Sequence, residues 1–383
     1  MTKHLAVVAL ALAAFAACEP NAGVTEPRGA VRASLIGPQN DDQRDGDGGP
    51  RAVYTLTNQV AGNAVAVFAR AADGTLTPAG SFSTGGAGTG AGLGSQGAVT
   101  LSNDGRLLFA VNAGSNDVSV FRVDPQGLSL LSRTPSGGTL PTSVTVSRNV
   151  VYVLNTGGAG NISGFTVGST GGLTPIAGST KSLSTAAAGP AEVSFSPDGR
   201  ELVVTEKGTS QLDVYPVDKN GVAGERTSYT SAGGTPFGFA FGPRNLLFVS
   251  EAAAPGSASS YALNNEGNLQ VISGAVLTHH GAPCWAVVTT DGRFGYTGNG
   301  SGSVSGFSIA PDGAIRLLGD GATAVIGNGV NDIALSANSR YLYVLQTGGA
   351  QAIHAFRVQD DGSLTALGPV GGLPTGTRGL AAF

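Results

Sequence analysis

Charge is scarce in this chain: 12% of its 383 residues are Asp, Glu, Lys or Arg, four are lysines, and the formal net charge is −4. With no basic stripe or cluster there is no electrostatic footprint for nucleic acid or for an anionic membrane surface, so neither is an expected partner. Cysteine is scarcer still. Cys18 and Cys284 are the two in the sequence, too few for a disulfide framework. No Gly-x-Ser-x-Gly, His-Glu-x-x-His, P-loop or dinucleotide fingerprint stands in a supporting context; the spaced glycines of "GAGTGAGLG" (86–94) lie between repeats with no helix after them, and read as a loop. No Asp-x-Asp run supports a calcium site, and neither a metal nor a cofactor is expected.

Long apolar runs are also lacking. The longest opens the chain, from Leu5 to Ala17 behind Lys3, and is too short to span a bilayer comfortably. It has the flanks of an export signal and ends in "AFAAC", a lipobox-like sequence in which Cys18 would be lipidated; ordinary cleavage after "AFA" is the alternative. Residues 1–18 therefore predict export, with membrane anchoring as a lipoprotein at the periplasmic face or cell surface, or else secretion. Lipidation would leave Cys284 unpaired, a buried apolar residue. Residues 19–50 are polar, rich in Pro and Gly and acidic at the end, which predicts a flexible tether.

What the chain has in abundance is glycine, 61 residues, and from Arg51 onward it repeats itself. The units "GAVTLSNDGRLLFAVNAGSNDVSVFRVDPQGLSLLSRTPSGG" (97–138) and "PAEVSFSPDGRELVVTEKGTSQLDVYPVDKNGVAGERTSYTSAG" (190–233) each hold four short apolar or alternating runs separated by Asp-Gly, Asn-Gly and Gly-Gly turns. That is a four-stranded antiparallel meander. Equivalent first-strand positions, Val99, Val144, Val193, Phe239, Ala286, Ile333 and Leu380, recur every 45–49 residues. A period in the forties with four strands per unit predicts an all-β, seven-bladed β-propeller over 51–383. The first unit lacks its innermost strand and "TRGLAAF" (377–383) is an innermost strand with nothing after it, so the two ends are expected to close the ring within one blade.

Units of the form P-x-x-V-x-F-S-P-D-G-R-x-L-x-V resemble the seven-bladed propeller lactonase family, which includes 6-phosphogluconolactonase and 3-carboxymuconate cyclase. "GPAEVSFSPDGRELVVTEKG" (189–208) carries the nearest local likeness, and "GAPCWAVVTTDGRFGYTGN" (281–299) resembles an exported subgroup. The resemblance implies a lactone hydrolase or a carboxymuconate-cyclase-like enzyme acting on a small molecule at a rim or axial pocket. A non-catalytic propeller that binds a ligand or protein on the same rim is the other reading, and a monomer is expected for both.

The end of the second strand of each unit carries Asn58, Asn112, Asn155, Glu206, Glu251, Asn299 and Gln346. Asn here often closes a turn on its own backbone, whereas Glu does so poorly. Glu206 and Glu251 stand on neighbouring blades, and if they converge they form an acid–base pair, with Arg378 as oxyanion donor and His280 (beside His279) as a second base. Solvated rim carboxylates are the plainer reading of the two. Asn112, Asn155, Asn299, Gln346 and Trp285 are candidate ligand contacts, Trp285 alternatively packing between blades.

Overall fold

The computed structural model describes residues 51–383; the export signal with Cys18 and the tether 19–50 lie outside the described residues. The described chain folds into seven antiparallel sheets arranged as blades. The three strands Ala52–Leu56, Ala64–Arg70 and Leu76–Ser83 are joined by the C-terminal strand Arg378–Ala382 into blade 1. Its register pairs Val53 with Ala382 and Leu56 with Arg378, so the ring closes as the sequence predicts. Blades 2 to 7 follow in chain order, with innermost strands Val99–Leu101, Pro141–Ser147, Pro190–Phe195, Pro236–Gly242, Pro283–Val288 and Val330–Leu335. In blades 3 and 6 the outer strand is broken into two short pieces that pair with the same neighbour. Gly178 interrupts one and Gly319 and Gly321 the other, each at positive φ.

The hairpins between first and second strands show why the repeat carries Ser-x-Asp-Gly-Arg. In 102–106 the Ser102 hydroxyl donates to Asp104 Oδ1 at 2.6 Å, and the Gly105 N–H donates to the Ser102 carbonyl at 2.8 Å. Gly105 takes φ +66, a region that side chains disfavour. A Cβ there would also lie 2.6 Å from the Phe383 ring. The turn at Ser196–Arg200 repeats this geometry.

Second strands such as Glu201–Glu206 are buried at every residue, while outer strands such as Leu269–Leu277 alternate toward solvent. Burial on both faces explains why the second strands read as continuous apolar runs. Blades are also bolted together by tyrosine. Tyr152, Tyr296 and Tyr343 bury their rings and donate their hydroxyls to the carbonyls of Gly221, Gly362 and Gly74 in the next blade, at 2.7, 2.8 and 3.0 Å. A satisfied buried hydroxyl of this kind contributes about 1 kcal/mol beyond the ring's burial.

Candidate functional site

The seven innermost strands surround an axial cavity of about 400 Å³. Its wall mixes polar and apolar groups, with Val99, Val144, Val193, Ala286, Ile333 and Leu380 contributing one residue from each of six blades. These are six of the seven positions that mark the repeat. An innermost strand has a free edge facing the axis, so its backbone groups need partners other than another strand. Side chains supply them. The Val193 N–H donates to Ser143 Oγ at 3.2 Å and the Phe195 N–H to Thr145 Oγ1 at 3.3 Å. The Phe239 N–H donates to Glu192 at 2.7 Å, and the Leu380 N–H to Asp332 at 2.9 Å.

Glu192 and Asp332 are 7% and 1% exposed and line the cavity. They stand on blades 4 and 7, three blades apart around the ring, hence on opposite sides of the axis. Both oxygens of Asp332 accept backbone amides, from Ile333 at 2.8 Å and from Leu380. Glu192 uses one oxygen for Phe239, while the other accepts no hydrogen bond among the described residues and opens on the cavity. Burial pushes both carboxyls well above the usual carboxylate range, and the charge of Asp332 adds to the effect on Glu192. The arrangement favours Glu192 as a neutral acid with its proton available to whatever fills the cavity.

The rim end of the cavity is crossed by the segment that leads into blade 2. Gln96 donates its backbone N–H to Ala191 of blade 4 at 3.1 Å, and its side chain pairs with both backbone groups of Ala286 in blade 6, at 2.8 and 2.9 Å. Blades 2 and 6 are as far apart as the ring allows, so Gln96 spans the axis. Gly238 makes room for it: a Cβ there would lie 2.0 Å from Gln96 Oε1. The Trp285 indole donates to the Ser95 carbonyl at 3.1 Å, and Lys207 donates to that of Gly94. The cavity therefore opens on the opposite face, among the first hairpins, where Thr290, Ser336 and Ser339 line it.

None of the site residues expected from the sequence lines this cavity. The ring at the second-strand ends is buried rather than solvated: Asn112, Asn155, Glu206, Glu251 and Asn299 are 0% exposed and Gln346 5%. Their side chains bond mainly to residues beyond their own turns, although Gln346 also donates to the Gly348 carbonyl two residues on. Asn112 donates to Asp117 and Ser119, Asn155 to Asn161 and the Ser136 carbonyl, and Asn299 to Ser303 and Ser305. Gln346 pairs with His354 at 2.9 Å. Glu251 accepts from Ser231, Gly233, Ser257 and Ser259, at 2.6–3.0 Å. Glu206 accepts from Ser184 and Thr209. Glu206 and Glu251 each hold a separate set of donors, and neither lines the axial cavity. They are glutamates because donors surround them, where Asn112 faces an acceptor, Asp117. Arg378 is 7% exposed and turns its guanidinium to Thr347 and the Thr377 carbonyl. His280 is half-buried near Gly321 and Trp285 packs edge-on against Phe237 between blades. Cys284 is fully buried, as expected, but no free thiol exists among the described residues, so the unpaired cysteine is not met.

The sequence reading missed Gln96, Glu192 and Asp332. The signal for the two acids was available one position before the repeat marker, where blades carry Ala98, Ser143, Glu192, Gly238, Trp285, Asp332 and Gly379. Two acids on strands that must be the innermost ones are out of place unless the axis needs them.

A seven-bladed propeller with an axial cavity opening on one face is the class of protein this geometry defines. Residues 51–182 match the family model described as "Lactonase, 7-bladed beta-propeller". Over those residues the resemblance read from the repeats is borne out. Among solved structures, the chain resembles the periplasmic gluconolactonase of Pseudomonas aeruginosa, at 20% identity and a TM-score of 0.67, covering 85% of this chain and 98% of that one. A Bacteroides fragilis protein provisionally assigned as a 6-phosphogluconolactonase is 19% identical with a TM-score of 0.68, covering 89% and 99%. At these identities the likeness is one of fold. No curated protein matches the chain.

Asp213, fully buried beside Glu206, has a consequence for stability. Burial, with the charge and hydrogen bonding of Glu206, raises its titration to about 7 against the pull of Ser228 and Arg226. The folded state thus holds a proton that the unfolded chain releases in the ordinary carboxylate range. The resulting stability is fully present below that range and is lost as pH rises through about 7. Melting temperature should fall from about pH 5 to about pH 8, and less steeply in Asp213→Asn. An unchanged slope in the variant would separate Asp213 from this effect.

Proposed function

We propose that this propeller hydrolyses a small lactone in the axial cavity, with Glu192 as the acid and Asp332 as the base. The Glu192 carboxyl carries the reading: it lines the cavity, is more than nine-tenths buried, and commits one oxygen to the Phe239 amide, leaving the other for a ligand. Two carboxyls in unlike settings are the usual means of running acid and base chemistry at one pH. The water oxygen bonds to the lactone carbonyl carbon as its proton passes to Asp332. The Glu192 proton steadies the carbonyl oxygen and then moves to the ring oxygen as the carbon–oxygen bond breaks. The hydroxy acid leaves, and the proton on Asp332 returns to Glu192 through solvent.

One observation favours a second reading. Both Asp332 oxygens are already occupied by backbone amides, which lowers its value as a base and suits a cavity that binds without turning over.

Glu192→Gln keeps an acceptor for Phe239 and removes the proton, so the fold should persist with a melting temperature near that of the wild type. Lactone turnover should drop by about 10²–10⁴-fold, the usual range for a lost acid or base. Asp332→Asn should lose both turnover and stability, because its new amide faces a backbone donor. Wild-type turnover in Glu192→Gln would sink the assignment, and binding with no turnover in the wild type would favour the second reading.

We further infer, from the Leu5–Ala17 run behind Lys3, that the domain is exported. Deleting residues 1–18 should leave the protein in the cytosolic fraction; export of the truncated chain would refute the signal.

A further inference from the structure

We propose that the axial cavity selects an uncharged ligand and rejects phosphorylated or carboxylated counterparts of the same size. The inference rests on the reading of the cavity as the ligand site, and adds the chemical class of what enters it.

The lining contains no Lys, Arg or His, and its two ionisable groups are the carboxyls of Glu192 and Asp332, on opposite walls. The rim cations are shut off from it. Lys207 lies over the Phe237 ring at 4.7 Å and binds the Gly94 carbonyl, at the Gln96 segment that closes the rim end. Arg378 is engaged with Thr347 and Thr377. On the open face, Arg106, Arg200 and Arg293 each stand within 3.0–3.9 Å of their own hairpin's aspartate, and none lines the cavity.

Anions can also be held by backbone amides, but here those are taken. The N–H groups of Val193, Phe239, Ala286, Ile333 and Leu380 donate to Ser143, Glu192, Gln96 and Asp332. The one helix among the described residues is the three-residue turn Pro243–Asn245, too short to offer a dipole. An anion entering the cavity would therefore face the Asp332 carboxylate, of its own sign, with no cation in the lining to offset its desolvation. A neutral polyhydroxylated ring faces no such barrier. It can use the second Glu192 oxygen and the hydroxyl of Thr145, whose hydrogen no other group accepts among the described residues. The cavity's volume falls in the range of small-molecule sites.

The test is calorimetric titration of the full chain with D-glucono-1,5-lactone, its 6-phosphate, and methyl β-D-glucoside as a neutral ring that cannot be hydrolysed. The neutral compounds should bind at least about 100-fold more tightly than the phosphate, as like-charge juxtaposition predicts. Their binding should be lost in Ala240→Phe, which fills the cavity from its wall. Equal or tighter binding of the phosphate would overturn the proposal. So would no binding of either neutral compound, or neutral binding that survives in Ala240→Phe. Selective neutral binding without lactone turnover would uphold this inference while defeating the hydrolytic reading.

Discussion

Seven sheets arranged around an axis leave seven free strand edges pointing at one another, too splayed to pair. The rest of this structure depends on how those edges are satisfied. Backbone amides facing a narrow channel must find partners. Here they find side chains from the neighbouring blade: Ser143 and Thr145 between blades 3 and 4, Glu192 between 4 and 5, Asp332 between 7 and 1. Gln96 does the same across the full width of the ring. Each such bridge joins two blades, so the groups that satisfy the edges also hold the ring together.

That constraint shapes the site. A carboxylate recruited to cap one backbone amide has two oxygens, and the second must go somewhere. In Asp332 it caps another amide; in Glu192, one methylene longer, it reaches the cavity. A residue with a structural duty is thereby left with a chemically useful oxygen. Its burial, which favours the neutral acid, follows from the same position.

The architecture was legible in the sequence because it rests on local rules repeated many times. The Ser-x-Asp-Gly-Arg turns, the runs of apolar second strands and the missing first strand at the N-terminus fixed blade number and closure, and the family likeness followed. The site was not legible in the same way. Glu206 and Glu251 drew attention as exceptions at a polar slot, but an exception in a repeat can equally reflect its local partners. Ser257 and Ser259 present hydroxyl donors to Glu251, where Asp117 presents an acceptor to Asn112. Those pairings join residues whose side chains meet only after strands two and three are in register. Glu192 and Asp332 sat one residue from the repeat marker. Their meaning depends on which strand edge faces the axis, and on a partner amide about one blade further along the chain.

The central claim is that Glu192 is a neutral acid aimed into the axial cavity. Infrared difference spectroscopy between the wild type and Glu192→Gln at about pH 7 tests it most directly, because protonated and ionised carboxyl groups absorb in separate regions. The account predicts a protonated-carboxyl carbonyl band in the wild type that vanishes in the variant and shifts when a neutral lactone is added. A difference spectrum showing the loss of an ionised carboxylate alone would contradict it.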